Sequence, residues 1–248
     1  MQIGCYAFAN PRKNAALIVD RCQQELEAFG FVDRARTTVW RRTNTKFDVL
    51  KINLIPNARC EKWGVPVGSF SLDPSCLFPF LPRLGHIQTD KAIHPEIGFG
   101  QLRLWIHRGI SQMGAKAPNI WWAGGTENIF RAVAKDVLGK VTTEVLPFFS
   151  RFEDPNELLR TLFEDDDAIG HEGVWDFGKK GSPTRLLYIG FAAIEYSEWE
   201  LAISSLRRCK ERIMAIPKPI GARVQAEFLP YLEQGRVCAE HKRFWFIA

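Results

Sequence analysis

The 248-residue chain reads as an α+β protein: an antiparallel β-meander packed by helices, followed by a helical C-terminal extension. Three observations carry that reading. A capped amphipathic helix opens the chain, period-two segments follow between Thr37 and His107, and apolar stripes at helical spacing dominate after Thr126. A hydrophobic content of 46% is ample for a core, and 18 Phe and 8 Trp supply large core fillers first and exposed anchors second.

Asn10 followed by Pro11 reads as N-cap and first helical residue, with Ala15, Ile18, Cys22, Leu26 and Phe29 recurring at three- and four-residue steps until Gly30 stops the helix. From Thr37 to Ile55 the period changes to two. The turn-like Thr43-Asn44-Thr45 joins Thr38–Arg42 to Phe47–Leu54 as an antiparallel hairpin. Further strands are expected at Val65–Leu72 and Gly100–His107, with Pro74, Pro79 and Pro82 in a rigid connection between them.

Thr126 caps a helix whose stripe of Ile129, Val133, Val137, Leu138, Val141 and Val145 ends near Pro147. Asp154-Pro155-Asn156-Glu157 opens the next as a capping box. Ser182-Pro183 opens another, Ser197 caps a fourth that Pro217 and Pro219 close, and Ala222–Gln234 is a last helix interrupted by Pro230. The apolar tail Arg243–Ala248 is expected to dock. The charged loop Glu164–Pro183 places a boundary between an α+β domain, residues 1–167, and a helical extension, residues 168–248, within or beside that domain.

The helix ending in Phe29-Gly30-Phe31, Trp40-Arg41-Arg42, Val49-Leu50-Lys51-Ile52-Asn53, Phe70-Ser71-Leu72 and Trp121-Trp122 ahead of a long helix together resemble the bacterial domain-of-unknown-function family numbered 4304. The resemblance spans about Asn10 to Asp167, and the C-terminal helices depart from it. It implies a small α+β domain of the kind found beside toxins as immunity proteins. No catalytic residues are carried over by it.

Chemistry-bearing patterns are sparse. Cys5, Cys22, Cys60, Cys76, Cys209 and Cys238 form no C-x-x-C pair and read as reduced, mostly buried thiols. His86, His94, His107, His171 and His241 show no helical metal-ligand spacing, so neither metal nor cofactor is expected. Gly124-Gly125-Thr126 precedes a helix but lacks the Lys-Ser or Lys-Thr of a phosphate loop, and reads as a loop with a threonine cap. No basic lead precedes an apolar run at the start, and no eighteen-residue apolar run occurs, so a cytoplasmic, non-membrane protein is expected.

Charge is distributed unevenly. Residues 151–172 hold eight carboxylates against two arginines, a balance of −6 that leaves +11 for the rest of a chain of net +5. The run Glu164-Asp165-Asp166-Asp167 opposes the dipole of the helix it ends, and reads either as a solvated loop or as a patch that steers and clamps a basic protein. Trp121 and Trp122 on a strand face opposite sides, one into the core and the other toward a partner or second helix. Arg34, Arg36, Arg41, Arg42 and Lys46 around Trp40, and Arg207, Arg208, Lys210 and Arg212 on a helix, would suit a nucleic-acid backbone, though no nucleic-acid-binding motif accompanies them. The expectation is therefore a non-enzymatic protein-binding protein, an immunity protein that occludes a toxin's active site through Glu164, Asp165, Asp166, Asp167, Trp121 and Trp122. An enzyme with a loop-assembled site and a weakly basic nucleic-acid binder are the alternatives.

Overall fold

The computed structural model describes residues 11–35, 37–82, 84, 102–104, 120–122, 124, 126–164, 174–175 and 180–242. The architecture is α+β, in two compact units: residues 1–76 with 95–150, and residues 77–94 with 151–248. The capping-box helix, Pro155–Glu164, falls in the second unit with the C-terminal helices.

The first unit opens with α1 (Pro11–Glu27), whose apolar positions Ile18, Val19, Cys22 and Leu26 are buried. The cap residue Asn10 lies outside the described residues. Gly30 takes a φ of 84°, and the Gly30 and Phe31 N–H groups donate back to the Glu27 and Leu26 carbonyls, which closes the helix end. The chain then forms β1 (Asp33–Ala35), a short strand not anticipated from sequence, β2 (Thr38–Arg42) and β3 (Phe47–Leu54). The β2–β3 hairpin is in register Thr38↔Lys51 through Arg42↔Phe47. After α2 (Asn57–Trp63) comes β4 (Ser69–Leu77), followed by β5 (Leu102–Leu104) and β6 (Ile120–Trp122).

The order is β1-β2-β3-β4-β5, with β6 also against β4. Pro74 was expected in a connection but sits inside β4. There it falls between the Ser69–Ser71 stretch that pairs with β6 and the Ser75–Cys76 stretch that pairs with β5, where its missing N–H interrupts neither ladder. Of the expected Gly100–His107 strand, the described part is Leu102–Leu104. Helix α1 packs against both β3 and α3 (Glu127–Lys140).

The Thr126 hydroxyl accepts from the Ile129 N–H at 3.4 Å and so caps α3. The expected stop at Pro147 does not occur. A π-helical turn, Val141–Val145, leads directly into α4 (Leu146–Arg151). Pro147 can neither donate to the preceding turn nor fit its ring into a regular α ladder, and the wider turn ahead of it lets the helix pass. Phe148 and Phe149 are thereby kept buried.

In the second unit, Asp154 caps α5 (Pro155–Glu164) through its carboxylate, which accepts from the Asn156 N–H at 2.9 Å. The Glu157 carboxylate is taken by Arg151 and by Arg160. A short strand β7 (Val174–Trp175) precedes α6 (Pro183–Glu195), where Ser182 accepts from the Arg185 N–H at 3.3 Å. Helix α6 is buried from Arg185 through Ile194, as a helix apolar on every side must be. Next come α7 (Trp199–Met214) and α8 (Ile220–Glu240).

Ser197 is not the cap of α7. It adopts a φ of 63° as its N–H closes the end of α6 on the Ile194 carbonyl, and Glu198 becomes the residue before α7. Helix α8 also runs uninterrupted through Pro230, whose position is exposed while Phe228, Leu232, Gly235 and Ala239 are buried. Burial of that face outweighs the roughly 3 kcal/mol that a proline costs inside a helix. Leu206 of α7 fills the space over Gly190 of α6 and Gly235 of α8, where a Cβ would stand 2.6 Å and 2.9 Å from its side chain. Phe78, Phe80, Phe152 and Tyr196 form an aromatic cluster with centroids 5.6–6.4 Å apart. The tail 243–248 lies outside the described residues. Among the described residues no helix is long and apolar enough to cross a membrane.

Candidate protein-contact site at the α2 end of the sheet

The link from β3 to β4 builds a small rigid platform. The Ile55 N–H donates to the Ser69 carbonyl at 2.9 Å, which locks both ends of the connection to the sheet. Between them α2 follows Pro56 and makes only two turns, so propensity alone would not hold it. It is held by Cys60, buried with Ile55, Val65 and Ile120 in a core of its own. Gly64 terminates it at φ 65°, and the Val65 N–H donates back to the Cys60 carbonyl at 2.9 Å. A side chain at residue 64 would be strained in that conformation.

This platform lifts apolar side chains into solvent. Trp63 is 48% exposed, Val67 51% and Leu54 41%. The Arg59 guanidinium lies 5.8 Å from the Trp63 ring centroid. Trp122, half-buried, donates its indole N–H to the Val67 carbonyl at 3.1 Å and ties β6 to the same end of the sheet. Gly124 leaves room for that ring: a Cβ there would stand 2.3 Å from it. Large apolar groups held out by a stiff support are the usual anatomy of an interface anchor.

Its neighbour Trp121 is 2% exposed, stacks on Phe70 with centroids 6.0 Å apart, and donates to Asp136 at 2.8 Å. Of the pair, Trp122 keeps surface for a partner. Glu164 is the last residue of α5. Asp165, Asp166 and Asp167 lie outside the described residues, as do His86, His94, His107 and His171.

The conspicuous ionic cluster lies inside the same unit. Asp48, fully buried, receives Lys46, also buried, and Arg41 Nε at 2.8 Å. Arg41 also donates to the Phe29 carbonyl at 2.9 Å and lies over the Phe31 ring at 5.1 Å, while Lys46 lies 5.9 Å from the Phe149 centroid. The Cys76 thiol is 3.8 Å from the Asp48 carboxylate. Burial holds that thiol well above its ordinary pKa of 9, against the pull of Lys46. A thiol kept protonated and out of solvent is a poor nucleophile. The cluster instead clamps the β2–β3 hairpin to the end of α1. Among the described residues no group of three or more His, Cys, Asp or Glu is arranged to hold a metal ion.

A groove of about 470 Å³ along α3 is lined by Ala132, Lys135, Asp136, Gly139, Lys140 and Thr143. Its described lining is one face of one helix, without converging groups from another element. Searches of protein-family models, curated proteins and solved structures found no match to this chain.

Proposed function

We propose that this chain is a non-enzymatic protein-binding protein, an immunity-type inhibitor that covers the active site of a bacterial toxin, and that the α2 end of the sheet is its contact surface. The carrying observation is Trp63, a large aromatic left 48% exposed on a connection fixed at both ends. Binding energy in interfaces concentrates in a few Trp, Tyr and Arg residues on rigid supports, where little side-chain entropy is left to lose. Trp63 with Arg59 over its face, and Trp122 behind Val67, supply that combination. The inhibitory role rests on the sequence resemblance, and occlusion needs no chemistry from the covering protein.

Affinity-tagged chain, used to draw partners from its native lysate, followed by calorimetry with the purified partner, tests the proposal. The expected result is a one-to-one complex that suppresses the partner's toxicity at stoichiometric ratio and that Trp63→Ala disrupts. A partner that binds Trp63→Ala as tightly as the parent chain would remove this surface from the proposal. A complex that leaves the partner's toxicity intact would remove the inhibitor role.

A further inference from the structure

Helical geometry fixes the chemistry of what this surface accepts. Arg59, Lys62 and Trp63 stand at i, i+3 and i+4 and so share one face of α2. All three are exposed, and among the described residues neither cation has a carboxylate partner. Glu61 is two residues from both Arg59 and Trp63, about 200° round the helix, and points away from that face. The result is a face on which Arg59 lies over the Trp63 ring with Lys62 one turn on at its other side, carried by a connection that also exposes Leu54 and Val67.

Building on the reading above, we infer that this face recognises an acidic segment of a protein partner, one that interleaves carboxylates with aliphatic side chains. Carboxylates meet Arg59 and Lys62 while an aliphatic group packs on the Trp63 edge and Val67. The Arg59 fork, held over the indole, presents its N–H groups to a carboxylate in a geometry that Lys cannot reproduce. The chain's net charge of +5 steers the same partner toward it. A nucleic acid fits less well, because two cations on a seven-residue helix give no extended track for successive phosphates.

The test uses the full chain and a short peptide alternating Leu with Asp and Glu, read by calorimetry and by the Trp63 indole N–H resonance. The expected result is binding that shifts that resonance, weakens as salt rises, and falls by about tenfold or more in Arg59→Glu/Lys62→Glu. An Arg59→Lys variant should lose part of the affinity, which separates the guanidinium geometry from charge alone. Failure of the acidic peptide to bind, equal binding by the same peptide with Asn and Gln in place of its carboxylates, or tighter binding of a single-stranded oligonucleotide would each overturn the inference. A native partner lost on Trp63→Ala but indifferent to charge reversal at Arg59 and Lys62 would sink this inference and leave the proposed function standing.

Discussion

Two sites in the first unit pair cations with aromatic rings and use them oppositely. At the hairpin, Arg41 lies over Phe31 and Lys46 near Phe149, and both cations reach the buried carboxylate of Asp48. At α2, Arg59 lies over Trp63 with water on its other side. What separates them is the carboxylate. A buried cation must be neutralised, and once Asp48 does so the set is committed to the fold. Without such a partner the same pairing stays on the surface, where its charge remains available to another molecule.

The comparison breaks most visibly at Asp48. Asp48→Asn should cost about 3–5 kcal/mol in denaturant unfolding, because Lys46 is left buried beside a neutral amide. Lys46→Met with Asp48→Leu should recover most of that loss, which would show that the pair supplies specificity rather than net stability. Second in size is Trp63→Ala, expected to cost a partner complex about 2 kcal/mol or more while changing chain stability by no more than about 1 kcal/mol, the lost pairing with Arg59 included. Equal losses in both measurements would make Trp63 a structural residue and erase the contrast.

Alkaline pH sharpens it further. Burial raises the Cys76 thiol well above 9 and pushes the Cys22 and Cys209 thiols up to about 12. The raised folded-state values mean that the thiols' contribution is fully present below the unfolded value near 9. As pH climbs above that value, the unfolded chain releases protons that the folded chain retains, and stability falls. The slope should approach about 1.4 kcal/mol per pH unit for each thiol, and Cys76→Ala should remove one such increment from the pH profile of urea unfolding. The smallest effect belongs to the exposed pair. Arg59→Ala should shift stability by only about 0.5–1 kcal/mol, read from the denaturation midpoint.

Fold class was legible because long patterns announce themselves. The α1 stripe ends at Gly30, the β2–β3 alternation spans a two-strand hairpin, and α6 is apolar all round, so each exceeds what local exceptions can hide. The site was not legible for the converse reason. Helix α2 is seven residues long, too short for a period to show, and its Trp63 is a lone aromatic ahead of a glycine. Lys46 reads in sequence as one more basic residue near Trp40. The available signal was Asp48, a carboxylate in period two with the buried Leu50 and Ile52, which demands a buried counter-charge. Ser197 misled because a serine ahead of a helix serves equally well in the turn that closes the preceding one. Pro147 misled because a proline's veto applies to the α ladder alone.

That last exception sets a counting rule for the long helix. Val133, Val137, Val141 and Val145 are all buried at steps of four, whereas an α-helix advances about 40° too far with each such step. The wider turn at Val141–Val145 absorbs the accumulated rotation and returns Phe149 to face Phe31, 5.6 Å away. Deleting a residue of the helix outside that turn would leave composition and hydrophobicity almost untouched, yet would swing everything downstream by about 100°, whereas deleting one within the turn would let it tighten to a regular α turn and keep the phase. The helix therefore tolerates change in what its residues are far better than change in how many there are.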